Sequence, residues 1–171
     1  MEYELGIKFL KEENEDKAFE TFHSGAQKGQ LNCIHYLAHC YENEIGIEED
    51  FNKAINLYKQ AAFLGYVPSQ IRLVEMYGLG HLYLGQDRHL RLWYQEALNK
   101  EDEDYFMLIA KMHWFGVGAS HDKTEAVKWF KKAAFKGNKE AMEFLYHCYT
   151  YGTGVAQDDK KAAYWLNLIE K

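Results

Sequence analysis

His35 and His39 stand one helical turn apart in the stretch CIHYLAHCYE, with Cys40 beside them. On a helix that spacing puts two imidazoles on one face, where a pair can hold a metal ion. The chemistry then runs short. The same helical wheel turns Cys40 inward, no third ligand is apparent, and the intervening Tyr36, Leu37 and Ala38 offer no glutamate to serve as the base of a zinc protease. Other signatures of catalysis are missing. There is no Gly-x-Ser-x-Gly elbow, no phosphate loop ending in Gly-Lys-Ser/Thr and no Cys-x-x-Cys pair. Gly78-Leu79-Gly80 lacks dinucleotide spacing, because Gly85 follows too late. The expectation is therefore no enzyme, no cofactor and no bound metal. An enzyme or metal-binding protein using His35 and His39 is the alternative of another class.

The residues better suited to binding form a row. His35, His39 and Glu42 fall on the helix face opposite Cys33, Ile34, Leu37, Ala38, Cys40 and Tyr41. Residues in the same register further along are Ile71, Glu75 and Gly78, then Met107, Lys111 and Trp114, then Glu143, His147 and Thr150. Asn43, Leu79, Phe115 and Tyr151 lie beside this row at the helix ends. Glu42, Glu75 and Glu143 suit a basic partner segment, or equally a solvated helix face. Trp114 has two readings: an anchor for a partner, or a side chain packed on the next helical joint. Trp93, Trp129 and Trp165 share a different register position and read as packing residues.

These residues are positioned by a repeat. AVKWFKKAAFKG, starting at Ala126, has relatives starting at Ala18, Ala54, Leu90 and Ala162, each 36 residues after the last. A second periodic segment precedes each of the last four: CIHYLAHCY from Cys33, SQIRLVEMY from Ser69, YFMLIAKMH from Tyr105 and AMEFLYHCY from Ala141. Apolar residues recur in both at helical spacing, so each unit is a hairpin of a helix A and a helix B. GVGASHD (116–122) and GTGVAQD (152–158) supply glycines to end helix A and an aspartate to cap helix B. Asp122 and Glu125 have capping-box spacing, and Pro68 falls in the first turn of a helix A. The first joint is four residues shorter and lacks the glycines. In the third unit Leu90 and Leu98 replace alanines, which predicts altered packing over residues 88–104. A period of this length describes a stack of units that contact only their neighbours.

Length and charge bound the rest. The 171 residues, 47% of them hydrophobic, form one domain of five units at about 1–29, 30–65, 66–101, 102–137 and 138–171. A net charge of -6 disfavours nucleic acid and anionic membrane as targets and favours a basic protein partner. The acidic runs Glu12–Asp16, Glu48–Asp50 and Glu101–Asp104 each precede a helix, where carboxylates cap free amides. No secretory leader or membrane-length apolar run is apparent, and the expected location is the cytoplasm. Cys33 and Cys40 are about 10.5 Å apart along one helix, too far to bridge, so the three cysteines read as packing thiols. The apolar edge near Trp165 and Leu168 offers a site for end-to-end association of identical chains.

Taken together, LYHCYTYGTGVAQDDKKAAYWL (145–166) and IAKMHWFGVGASHDKTEAVKWFKKAAFKGNKEA (109–141) resemble the Sel-one-like repeat family, α/α solenoids related to tetratricopeptide repeats. The second unit keeps most of the pattern, and the first and third depart from it. The resemblance implies a right-handed superhelix of five helix-turn-helix repeats with the A helices lining the concave face. It implies a non-enzymatic module, bacterial in style, that binds another protein or peptide in that groove. An immunity protein neutralising a protein toxin is a narrower form of the same expectation.

Overall fold

Asn14, Asp50, Asp122 and Asp158 are separated by multiples of 36 residues, and each starts a helix by accepting a backbone N–H three residues on. The distances are 3.3 Å from Lys17, 2.9 Å from Lys53, 3.0 Å from Glu125 and 3.0 Å from Lys161. Those backbone donors hold the carboxyls of Asp50, Asp122 and Asp158 below their ordinary values. The structure, a computed structural model, describes residues 1–82 and 88–170. Its described residues form α-helices and no strands: α1 Glu2–Lys11, α2 Glu15–Gln27, α3 Leu31–Glu42, α4 Phe51–Phe63, α5 Val67–Gly78, α6 Arg88–Ala97, α7 Glu103–Phe115, α8 Lys123–Phe135, α9 Lys139–Tyr151 and α10 Asp159–Ile169. Odd-numbered helices are the A helices and even-numbered ones the B helices. The fold class read from the repeat is the one observed.

The joints at 43–50, 116–122 and 152–158 are built alike. The N–H groups of Ile45, Val117 and Thr153 each bond the carbonyl five residues back. The cap residues Asp50, Asp122 and Asp158 donate their own N–H to Tyr41, His113 and Tyr149 carbonyls at 2.9–3.0 Å. Asp122 thus makes only half a capping box, since its amide is used by His113 and Glu125 pairs with Lys128 at 2.7 Å. The second glycine of the joint has a further duty the sequence does not announce. A Cβ on Gly46 would lie 2.5 Å from the Glu15 carbonyl oxygen, and one on Gly154 would lie 2.4 Å from that of Lys123. Glycine here lets a joint press on the start of the preceding helix B. In the short first joint, Glu13 takes φ 55° and Asn14 caps α2. Tyr83 to Asp87, in the third joint, lie outside the described residues.

Cα packing divides the chain into two compact units, Met1–Leu73 and Val74–Lys171. The first is built on Ala18, Phe22, Cys33, Leu37 and Cys40. Helices come close there because Gly6 faces the Phe22 ring and Gly25 faces the Cys33 sulfur, with no room for a Cβ at either. The cysteines are free and buried, and burial pushes the Cys40 thiol up to about 12. In the second unit Phe130, Leu145 and Cys148 are fully buried, and a side chain such as Phe130 contributes roughly 1.5–3 kcal/mol by leaving water. Of the two leucines that replace alanines, Leu98 is 41% exposed where Ala62 and Ala134 in its register are buried, whereas Leu90 is buried like Ala54 and Ala126. At the edge expected near Trp165 and Leu168, Trp165 itself is only 4% exposed with its ring 5.7 Å from Phe135, while Tyr164 and Leu166 on the same helix are 52% and 39% exposed.

Candidate partner-binding surface

The row assigned to binding does not stay on one kind of surface. On α3, His35 is largely covered. Its Nδ1 lies 2.9 Å from the Ser69 hydroxyl, and its ring makes edge contacts with Tyr36, Tyr58 and Tyr66. Burial, then the neighbouring charges of His39 and Arg72, hold its pKa down at about 4, so it is a neutral imidazole at pH 7. His39 is also shifted down by burial, and its Nδ1 has no hydrogen-bond partner among the described residues. Glu42 accepts from the Tyr58 hydroxyl at 2.8 Å and from Arg72 through Nε at 3.2 Å and Nη2. Burial pushes its carboxyl up, but the Arg72 and Tyr58 donors outweigh that and leave it low. Glu42 is therefore spent inside the fold rather than offered to a basic visitor. No group of three metal-ligating side chains forms among the described residues, and His35 is engaged by Ser69, so the geometry lends the metal reading no support.

On α7 the expected open face is sunk. Met107 and Lys111 are each 1% exposed, and burial is continuous from Phe106 to His113. Lys111 is tolerated there because its ammonium pairs with Glu75 and, at 2.5 Å, with Glu140. It also lies 5.6 Å from the Phe144 ring centroid. Glu75, like Glu42, is thus an internal partner. The warning was in the sequence: Phe106 to Ala110 is a run of five apolar residues with no polar side, the mark of a helix covered all round. What the sequence could not supply was the pair of carboxylates that reach Lys111 from other helices.

Trp114 takes the packed alternative. Its ring meets Phe130 at 5.8 Å and Phe144 at 5.5 Å, both edge-on, and those two phenyl rings stack at 4.4 Å. The Lys123 ammonium sits 4.7 Å from the indole centroid. Trp114 keeps partial exposure, as does Phe115, whose ring packs on Gly78. Glu143, His147 and Tyr151 on α9 are exposed, Tyr151 at 73%. They stand at i, i+4 and i+8, one above another. The His147 and Tyr151 rings are nearly parallel at 6.1 Å, and the Tyr146 ring lies 5.0 Å from His147, tilted to it. Of the eleven residues proposed from the sequence, this trio alone forms a free polar-aromatic ridge.

The repeat itself has known relatives. The Sel1 repeat family matches residues 32–66, 107–138 and 140–168, together more than half the chain. The chain belongs to the Sel1 repeat family. Proteins of Sel1 repeats are generally protein-interaction modules, and the repeat scaffold is typically non-catalytic. Among curated relatives, rat DAP3-binding cell death enhancer 1 is 34% identical over 47% of this chain and 17% of its own length. The chitin synthase regulator SKT5 of Saccharomyces cerevisiae is 35% identical over 47% of this chain and 12% of its own length. The matching segment is thus a small part of those much longer proteins. Among solved structures, a Sel1 repeat protein from Oxalobacter formigenes superposes with a TM-score of 0.67 at 22% identity, over 99% of this chain and 71% of that one. A protective antigen of uropathogenic Escherichia coli with an SLR fold gives 0.62 at 25% identity, over 99% and 37%. These kinships span bacteria and eukaryotes, so they do not mark the chain as bacterial. No described helix is long and apolar enough to cross a membrane.

Proposed function

We propose that this Sel1 repeat chain is a non-enzymatic module that binds another protein through the α9 ridge of Glu143, His147 and Tyr151. The observation that carries the reading is the exposure of Tyr151 at 73%, stacked along His147 rather than folded onto the core. Tyrosine offers a large rigid contact with a polar tip and loses little conformational freedom when bound. The ridge stands on an ordered base, because Phe144 of the same helix is locked into the Trp114 and Phe130 cluster. Trp114 and Phe115 supply the partly exposed apolar shoulder. A carboxylate at Glu143 that pairs with no cation among the described residues favours a basic residue opposite it.

The test is affinity capture from the native cell with the full chain as bait. Tyr151→Ala combined with Glu143→Lys should lose the wild-type partner by tenfold or more while leaving the melting curve unchanged. Equal capture by the double variant removes α9 as the contact surface.

A further inference from the structure

The first unit contains a pocket of about 300 Å³ walled by Leu37, Tyr41 and Leu57, with His23, Lys53 and Asn56 at its rim. The repeat shows what belongs there. Leu57 stands in the register of Trp93, Trp129 and Trp165, and Asn56 in that of Tyr164. In the last hairpin Trp165 is 4% exposed and Tyr149, the counterpart of Tyr41, is 5% exposed. The surrounding frame is the same in both places. Lys53 lies 5.0 Å from the Tyr41 ring and 3.4 Å from Asp50; Lys161 lies 5.3 Å from the Tyr149 ring and 3.0 Å from Asp158. What differs is the indole. Where the last three hairpins carry their own tryptophan, this one carries a leucine (and the first a threonine, Thr21), and Tyr41 is left partly uncovered.

We infer that this pocket receives a tryptophan side chain from a partner protein, replacing the indole that the repeat lacks at Leu57. The chemistry of the occupant is read from the molecule itself. Leu37 and Tyr41 correspond in register to Leu145 and Tyr149 of the hairpin that carries Trp165. The rim cation suits an electron-rich ring, since Lys53 already lies 5.0 Å from the Tyr41 ring. An indole buried between an aliphatic floor and an ammonium is the kind of anchor that carries much of a protein–protein contact. The inference rests on the chain being an interaction module, but not on the α9 ridge, since every residue of the pocket lies in the first unit.

The experiment is a methyl and amide NMR titration of the full chain with N-acetyl-tryptophanamide, run beside N-acetyl-leucinamide. The expected result is saturable shifts at the Leu37 and Leu57 methyls and the Asn56 side-chain amide, with the tryptophan probe at least fivefold tighter. Leu57→Trp should abolish those shifts and raise Tm by a few degrees, by filling the slot from within. Lys53→Ala, on the exposed rim, should keep the fold and weaken the probe severalfold. Tyr151→Ala should leave the shifts untouched, which separates failure here from failure of the α9 surface. Absent shifts, equal response to both probes, or shifts that persist in Leu57→Trp would each overturn the inference. So would movement of the same methyls on concentrating the protein without probe, which would identify a second copy of the chain as the occupant.

Discussion

Helices α7 and α9 hold the same place in successive repeats and lie in the same compact unit, yet they treat the same row of positions in opposite ways. Met107 and Lys111 on α7 are buried, whereas Glu143 and His147 on α9 are exposed. The repeat dictates where a side chain points, and its neighbours decide whether anything covers it. Lys111 is covered because Glu75 and Glu140 converge on it and because Phe144 lies beside it. On α3, His35 and Glu42 follow the α7 pattern, engaged by Ser69, Tyr58 and Arg72. A row that looks continuous in sequence is therefore closed over part of its length and open on α9.

The sharpest way to break this contrast is at Lys111. Lys111→Ala removes the cation that two carboxylates share and leaves a void, and it should cost about 3 kcal/mol in chemical denaturation. Lys111→Met with Glu75→Gln should recover most of that loss, because the apolar stem is restored and one unpaired charge is gone. If Lys111→Ala costs no more than an ordinary surface change, the covered state of α7 is wrong.

His35 gives the next effect, through pH. Its folded pKa of about 4 lies below the ordinary histidine value, so acid protonates the unfolded chain first. The stability tied to a neutral His35 is complete above about pH 6.5 and is lost as the pH falls towards 4. Integrated over that window it amounts to at most about 3 kcal/mol. Urea unfolding measured across it should show the decline, and His35→Gln should flatten it. An equally steep decline in His35→Gln would assign the acid sensitivity elsewhere.

The smallest effect belongs to the open helix. Tyr151→Ala should change stability by less than about 0.5 kcal/mol, as expected for a surface side chain away from the core. A larger loss would mean that the α9 ridge is structural and that its exposure has been misjudged.

Much of the fold was legible because it is local chemistry. Asp50, Asp122 and Asp158 cap the helices that follow them, and Pro68 sits in the first turn of α5, as their positions imply. Cys33, Cys40 and the apolar face of α3 went inward for the same reason: one helix period sets which side is which. The binding row was less legible because its fate depends on residues distant in sequence. Nothing near Lys111 reveals that Glu75 and Glu140 will meet it, and nothing near Trp114 reveals Phe130 and Phe144. The run Phe106 to Ala110 was the one local hint that α7 lacks a free side. Leu57 is a subtler case, since its meaning appears only beside Trp93, Trp129 and Trp165.

Competitive lysine acetylation of the native chain, read by mass spectrometry, addresses the covered and open helices most directly. Lys111 should be modified at least tenfold more slowly than Lys128, whose side chain is 64% exposed. Equal rates at the two lysines would show α7 open to solvent and would contradict the division of the row into a closed stretch and an exposed α9.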